Sequence, residues 1–135
     1  MIKYFAKYKF IFYLCNFILI VLYLFPGSLI GWFVYKDLNL QPQITTNFIV
    51  STNHVYAFMA LSILGYISYK NQKLNFLFIY LLLISVFLEI LHIIIPNRGF
   101  EFTDLFGNIL GVLIVYFFHH TYNYFYNSKN DKKKF

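Results

Sequence analysis

The chain predicts an all-α integral membrane protein, a four-helix transmembrane bundle with both termini cytoplasmic, and three observations carry that expectation. The residues are 60% hydrophobic and 12% charged, where soluble domains hold about 25% charged residues. Four long apolar runs alternate with short polar stretches. Nine of the eleven basic residues, Lys3, Lys7, Lys9, Lys70, Lys73, Lys129, Lys132, Lys133 and Lys134, lie in the three segments that four crossings place on one side. By the positive-inside rule that side is the cytoplasm. The remaining two, Lys36 and Arg98, then lie in the outer loops.

The length of 135 residues suits one domain and leaves no room for a separate soluble catalytic domain. Residues 1–127 are read as that transmembrane domain and 128–135 as a basic cytoplasmic tail. The net charge of +6 reflects orientation in the membrane and not nucleic-acid binding, because the cations sit at segment ends. Cys15, the single cysteine, cannot form an internal disulfide and reads as a packing residue.

The first span is expected over about 9–27, following the basic residues and stopping at Pro26-Gly27-Ser28. A signal peptide is the alternative, but no Ala-x-Ala site follows and the apolar run exceeds the roughly 7–15 residues of such a core. Residues 28–47 mix polar and apolar groups and suit an interfacial loop, part of it a short surface helix, with Trp32 and Tyr35 at headgroup depth. Thr45, Thr46 and Asn47 offer N-caps for a second span of about 48–69. Lys70-Asn71-Gln72-Lys73 reads as a tight polar connection. The third span, 74–95, has enough residues to cross a hydrocarbon core of roughly 30 Å. Pro96-Asn97-Arg98-Gly99 reads as a turn, and Thr103 as the N-cap of a fourth span, 104–122, with Asp104 in the first turn where an acid favours the helix dipole. His119-His120 falls at the cytoplasmic end as a headgroup-level feature.

Glu89 and His92 are three residues apart, and Asp104, Asn108 and Gly111 are spaced by four and three, so each set occupies one helix face. His54 lies early in the second span. Three helices thus bring polar groups to one depth near the outer surface, while the cytoplasmic halves read as almost purely apolar. Ionised groups cost roughly 3 kcal/mol or more at the bilayer centre, so these residues are expected to face one another. Glu89 and Asp104 are the candidate catalytic pair, a general acid and base or a cation or proton relay. His54, His92, Arg98 and Asn108 are the candidate binding residues. Arg98 suits a phosphate or carboxylate of a ligand, or else neutralises Glu89 and Asp104. Gly111 allows close helix approach. No nucleophile motif, phosphate loop or His-Glu-x-x-His is present, and no cofactor is called for. A single metal held by His54, Glu89, His92 and Asp104 fits the ligand types, but one Glu-x-x-His is half of what carboxylate-bridged bundles use, so no metal is assigned. Helix packing alone is the competing role for the whole cluster.

The pattern Glu89-x-x-His92, Pro96-x-Arg98, Asp104-x-x-x-Asn108 and Gly111, with His54 ahead of Tyr56-Ala57-Phe58, resembles the VanZ-like membrane proteins. His92 stands where that family usually has Gln, and the Asp-Lys often found before its histidine is missing from Val50-Ser51-Thr52-Asn53. The resemblance implies a bacterial plasma-membrane protein, and the outward polar cluster is expected to bind or act on an amphipathic lipid-linked or cell-wall component at the outer leaflet. The family's namesake is associated with low-level resistance to the glycopeptide teicoplanin. Membrane lipids are the expected surroundings, nucleic acid is not an expected partner, and oligomers are compatible with the sequence.

Overall fold

The structure is a computed structural model that describes residues 2–47, 49–69 and 74–131, with side chains described over 8–126 of these. It holds five α-helices and, among the described residues, no strand: α1 (Ile2–Leu24), α2 (Leu29–Tyr35), α3 (Thr52–Ser68), α4 (Leu74–Leu91) and α5 (Phe102–Asp131). Two of them, α4 and α5, are long and apolar enough to cross a membrane. A third crossing is available if α1 and α2, bent by 81° at Pro26-Gly27, count as one broken span. The 70–73 connection and the last lysines of the tail lie outside the described residues.

The surface is that of a protein built for lipid. Phe76, Leu83, Phe87 and Phe118 point outward, whereas Asn16, Ser62, Ser85, Glu89, His92 and Asn108 are buried, the reverse of the usual soluble distribution. Helix α3 is central, packing against α1, α4 and α5. Its closest neighbour is α5, and glycines explain why. A Cβ at Gly111 would lie 2.5 Å from the Val55 carbonyl oxygen, and one at Gly107 would lie 2.7 Å from that of Ser51. The expected role of Gly111 therefore holds, and Gly107 completes a Gly-x-x-x-Gly interface that brings two backbones together. Cys15 packs beside a core that includes Phe12, Phe58, Leu81 and Val112.

Helix boundaries depart from expectation in informative ways. α1 ends at Leu24, before Pro26. The residues after it form the anticipated surface helix, α2, whose start is capped by the Ser28 hydroxyl accepting the Gly31 N–H at 2.9 Å. Trp32 and Tyr35 on α2 are exposed. α3 begins at Thr52, with Ser51 and not residues 45–47 in the N-cap position. Asn47 nevertheless accepts the Thr52 N–H at 3.1 Å from five residues away. α4 stops at Leu91, four residues short of the expected end. His92, Ile93 and Ile94 donate their N–H groups to Glu89, Ile90 and Leu91, the tighter i→i−3 winding common at helix ends. The turn then closes through the Arg98 N–H to the Ile95 carbonyl at 3.2 Å, with Asn97 in the left-handed region at φ 58°. Asn tolerates that conformation better than most residues. α5 starts at Phe102, so Thr103 lies inside the first turn and the Glu101 carbonyl accepts the first helical bonds. The helix also runs on to Asp131, well past residue 122.

Candidate functional site

Four segments converge at one end of the molecule. Tyr23 comes from the last turn of α1, His54 from the first turn of α3, and Glu89 from the last turn of α4. His92 comes from the turn after α4, and Asp104 and Asn108 from the start of α5. The α3 and α5 starts are held in register by the Ser51 N–H donating to the Thr103 carbonyl at 3.1 Å. Glu89 and Asn108 are fully buried, His92 and His54 nearly so, and Asp104 keeps 20% of its side chain exposed. The gathering expected of His54, Glu89, His92, Asp104 and Asn108 is thus present.

The donors can be assigned from partners that have no choice. The Asn108 Nδ2–H donates to the Ser85 carbonyl at 3.2 Å, which turns Oδ1 toward Tyr23 and His54. A carboxamide oxygen only accepts. The Tyr23 hydroxyl therefore donates to it at 2.7 Å, and so does His54 Nδ1–H at 2.9 Å. The other nitrogen of His54, Nε2, faces Asp104 Oδ2 at 3.3 Å. His92 is fixed the same way. Its Nε2–H donates to the Tyr23 carbonyl at 3.1 Å, leaving Nδ1 against Glu89 Oε1 at 3.3 Å. Glu89 Oε1 also accepts the Glu101 N–H at 3.1 Å, and Glu89 Oε2 is buried with no hydrogen-bond partner. Each histidine–carboxylate pair thus brings two acceptor atoms together, and each is satisfied only by a proton or a cation between them.

Arg98 is placed differently from the expectation that it neutralises the acids. Its Nε–H donates to the Phe25 carbonyl at 3.3 Å and its Nη2–H to the Leu22 carbonyl at 3.1 Å, so it caps the C-terminal end of α1, where a cation meets the negative end of the helix dipole. No ion pair within 4.0 Å joins it to Glu89 or Asp104 among the described residues. Burial draws its pKa down, and the acids and Tyr23 oppose that at longer range. A guanidinium stays charged regardless.

Beside the cluster lies a groove of about 540 Å³ whose polar lining includes Tyr23, His54, His92, Arg98, Asn53 and Gln41. Its apolar lining comes from Leu22, Leu29, Ile30, Ile44, Ala57 and Ala60. The groove joins the 28–47 segment to the buried histidines. Asn53 holds that segment down, donating to the Pro42 carbonyl at 2.7 Å and accepting the Ile44 N–H at 3.0 Å.

Against family models, curated proteins and solved structures the chain finds no match. The site is read from its own chemistry.

That chemistry is acid–base or cation-binding. His54, Glu89 and Asp104 place one possible ligand atom each within 4.8 Å of one another. Two participants escaped sequence reasoning. Tyr23 is one of 13 tyrosines and carried no distinguishing signal. Ser85 contributes through its backbone, which no side-chain pattern reveals. The opposite end of the bundle is also less purely apolar than expected. At the far end Asn16 donates to the Tyr80 hydroxyl, Tyr13 bonds Tyr69, and Ser68 donates to the Tyr8 carbonyl at 2.9 Å. His119 there packs at a tilt against the Tyr66 ring and bonds Asn123.

Proposed function

We propose that this is a VanZ-like bacterial plasma-membrane protein of four spans with cytoplasmic termini, and that its outward-facing polar pocket binds or modifies an amphipathic cell-envelope component. The observation that carries the reading is the groove. Its lining combines Arg98 and the two histidines with several aliphatic side chains, a composition suited to a molecule that has both an anionic group and an apolar part. Arg98 spends two donors on α1, and its Nη1 makes no hydrogen bond among the described residues, which leaves that nitrogen for a phosphate or carboxylate. Glu89 and Asp104, each against a histidine, supply the proton-transfer groups that a modification step needs. The link to teicoplanin resistance rests on the resemblance alone.

Native mass spectrometry of the purified protein with phosphatidylglycerol tests the binding step. Wild type should retain the lipid and Arg98→Gln should lose most of it; equal retention by both overturns the groove reading. Orientation is tested in a Cys15→Ser background by labelling Gln41→Cys and Asp131→Cys in intact cells. Only the former should react with an impermeant reagent, and the opposite pattern overturns the topology.

One observation favours a second reading, a non-enzymatic membrane scaffold whose polar cluster only fixes packing. Asn108 satisfies both ends of its amide inside the protein, bonding Tyr23, His54 and Ser85, as a structural clasp does. Under that reading Glu89→Gln lowers stability and any loss of function follows the loss of folded protein.

A further inference from the structure

We propose that His54, Glu89 and Asp104 form a binding site for one divalent transition-metal ion of the zinc or manganese type, held between the starts of α3 and α5 and the end of α4. The inference concerns the same cluster as the proposed function but does not require a lipid in the groove.

Three observations support it independently. First, the three ligand atoms lie within 4.8 Å of one another. The 3.3 Å between His54 Nε2 and Asp104 Oδ2 is the separation that two bonds of about 2.0–2.1 Å make at a tetrahedral centre. Glu89, whose Oε2 lies 4.0 Å from His54 Nδ1, has to close in by up to about 1.5 Å to join them. Second, the hydrogen bonds leave the right lone pairs. His54 is fixed as an Nδ1–H donor by Asn108, so Nε2 presents its lone pair, the arrangement by which a ligating histidine is oriented from behind. Glu89 Oε2, on a residue with no exposed surface, has no partner, while Oε1 is steadied by the Glu101 N–H. An unpartnered buried carboxylate oxygen is costly unless something charged meets it.

Third, the charges need an answer. Two carboxylates converge here, and Arg98 is committed to α1 carbonyls. A divalent ion makes the set neutral, which is what an apolar surround demands. One nitrogen and two carboxylate oxygens suit zinc or manganese better than softer metals. Asp104, part exposed, gives the ion its way in.

The test uses full-length protein carrying an affinity tag without histidine, purified in detergent without chelator. Elemental mass spectrometry should find about one zinc or manganese per chain. After stripping, calorimetric titration with zinc and with manganese should show one saturable site for at least one of them. Asp104→Asn and Glu89→Gln should each weaken that site by about 100-fold. His119→Gln, altered at the opposite end of α5, should bind as wild type. Asp104→Asn carries the test if Glu89→Gln fails to fold. Metal-free protein that also binds neither ion overturns the proposal, and so does wild-type affinity in Asp104→Asn. Phosphatidylglycerol binding is measured separately on the stripped protein, so failure of the metal site and failure of the groove reading are told apart.

Discussion

The two ends of the molecule bury polar groups in opposite ways. At the far end the paired polar groups are hydroxyls and one carboxamide: buried Asn16 with Tyr80, the more exposed Tyr13 with Tyr69, and buried Ser68 on the Tyr8 carbonyl. A cavity of about 460 Å³ there is lined by Phe12, Tyr13, Asn16, Tyr69, Phe76 and Leu77, with Tyr80 beside them. These groups carry no charge to be answered, although the Asn16 carboxamide oxygen and the Tyr66 hydroxyl there are buried without a hydrogen-bond partner. At the near end two buried histidines stand acceptor to acceptor against buried Glu89 and part-exposed Asp104. Neutral hydrogen bonds are enough to hold helices together in lipid, averaging about 0.6 kcal/mol each. The near end goes beyond that requirement, and the excess is what marks it as a site.

Substitutions can break that contrast or sharpen it. The largest effect is expected from Gly111→Leu, because a side chain there meets the Val55 carbonyl backbone and must force α3 from α5, disturbing both ends at once. A loss of about 3 kcal/mol or more is expected, read as a much lower melting temperature in detergent; a melting temperature within a few degrees of wild type would show that the close approach is not needed. Arg98→Met should come next, losing two charge-assisted bonds to the end of α1 at about 2 kcal/mol, measured by thermal unfolding. Tyr23→Phe removes a buried donor to Asn108 and should cost about 1 kcal/mol. Asn16→Leu is the matched change at the far end and should cost about 0.6 kcal/mol while leaving phosphatidylglycerol binding intact. A loss of lipid binding in Asn16→Leu would erase the distinction between the ends. Glu89→Gln is the sharpest case: a site role predicts altered ligand or ion binding with folded protein retained, whereas a structural role predicts loss of fold and function together.

Much of the near end was legible because helical spacing is geometric. Glu89 with His92, and Asp104 with Asn108 and Gly111, could be placed on common faces before any coordinates, and hydrocarbon explains why they must meet. What stayed hidden depended on the backbone. Arg98 chose main-chain carbonyls over acids, and a sequence cannot show which carbonyls a helix end leaves free. Tyr23 lies in a sequence with 13 tyrosines, and nothing in its spacing sets it apart. Gly107 was readable in principle, four residues before Gly111, yet it sits beside Asn108 where polar residues drew attention. The fourth span is expected to end near residue 122, but α5 runs on to Asp131, and stacking of Tyr116 with His120 and of Tyr122 with Tyr126 accompanies its continued winding.

The amide of Asn108 ties together the hydroxyl of Tyr23 and the imidazole of His54, and it is the last of the three to leave the ribosome. Until it arrives, the earlier segments carry groups that lipid will not accept unanswered, so they must wait near the headgroups and water. Closure is then a late, collective step of biogenesis, and a nascent chain cut short before residue 108 is expected to be cleared by membrane proteases and not to accumulate as a partial bundle.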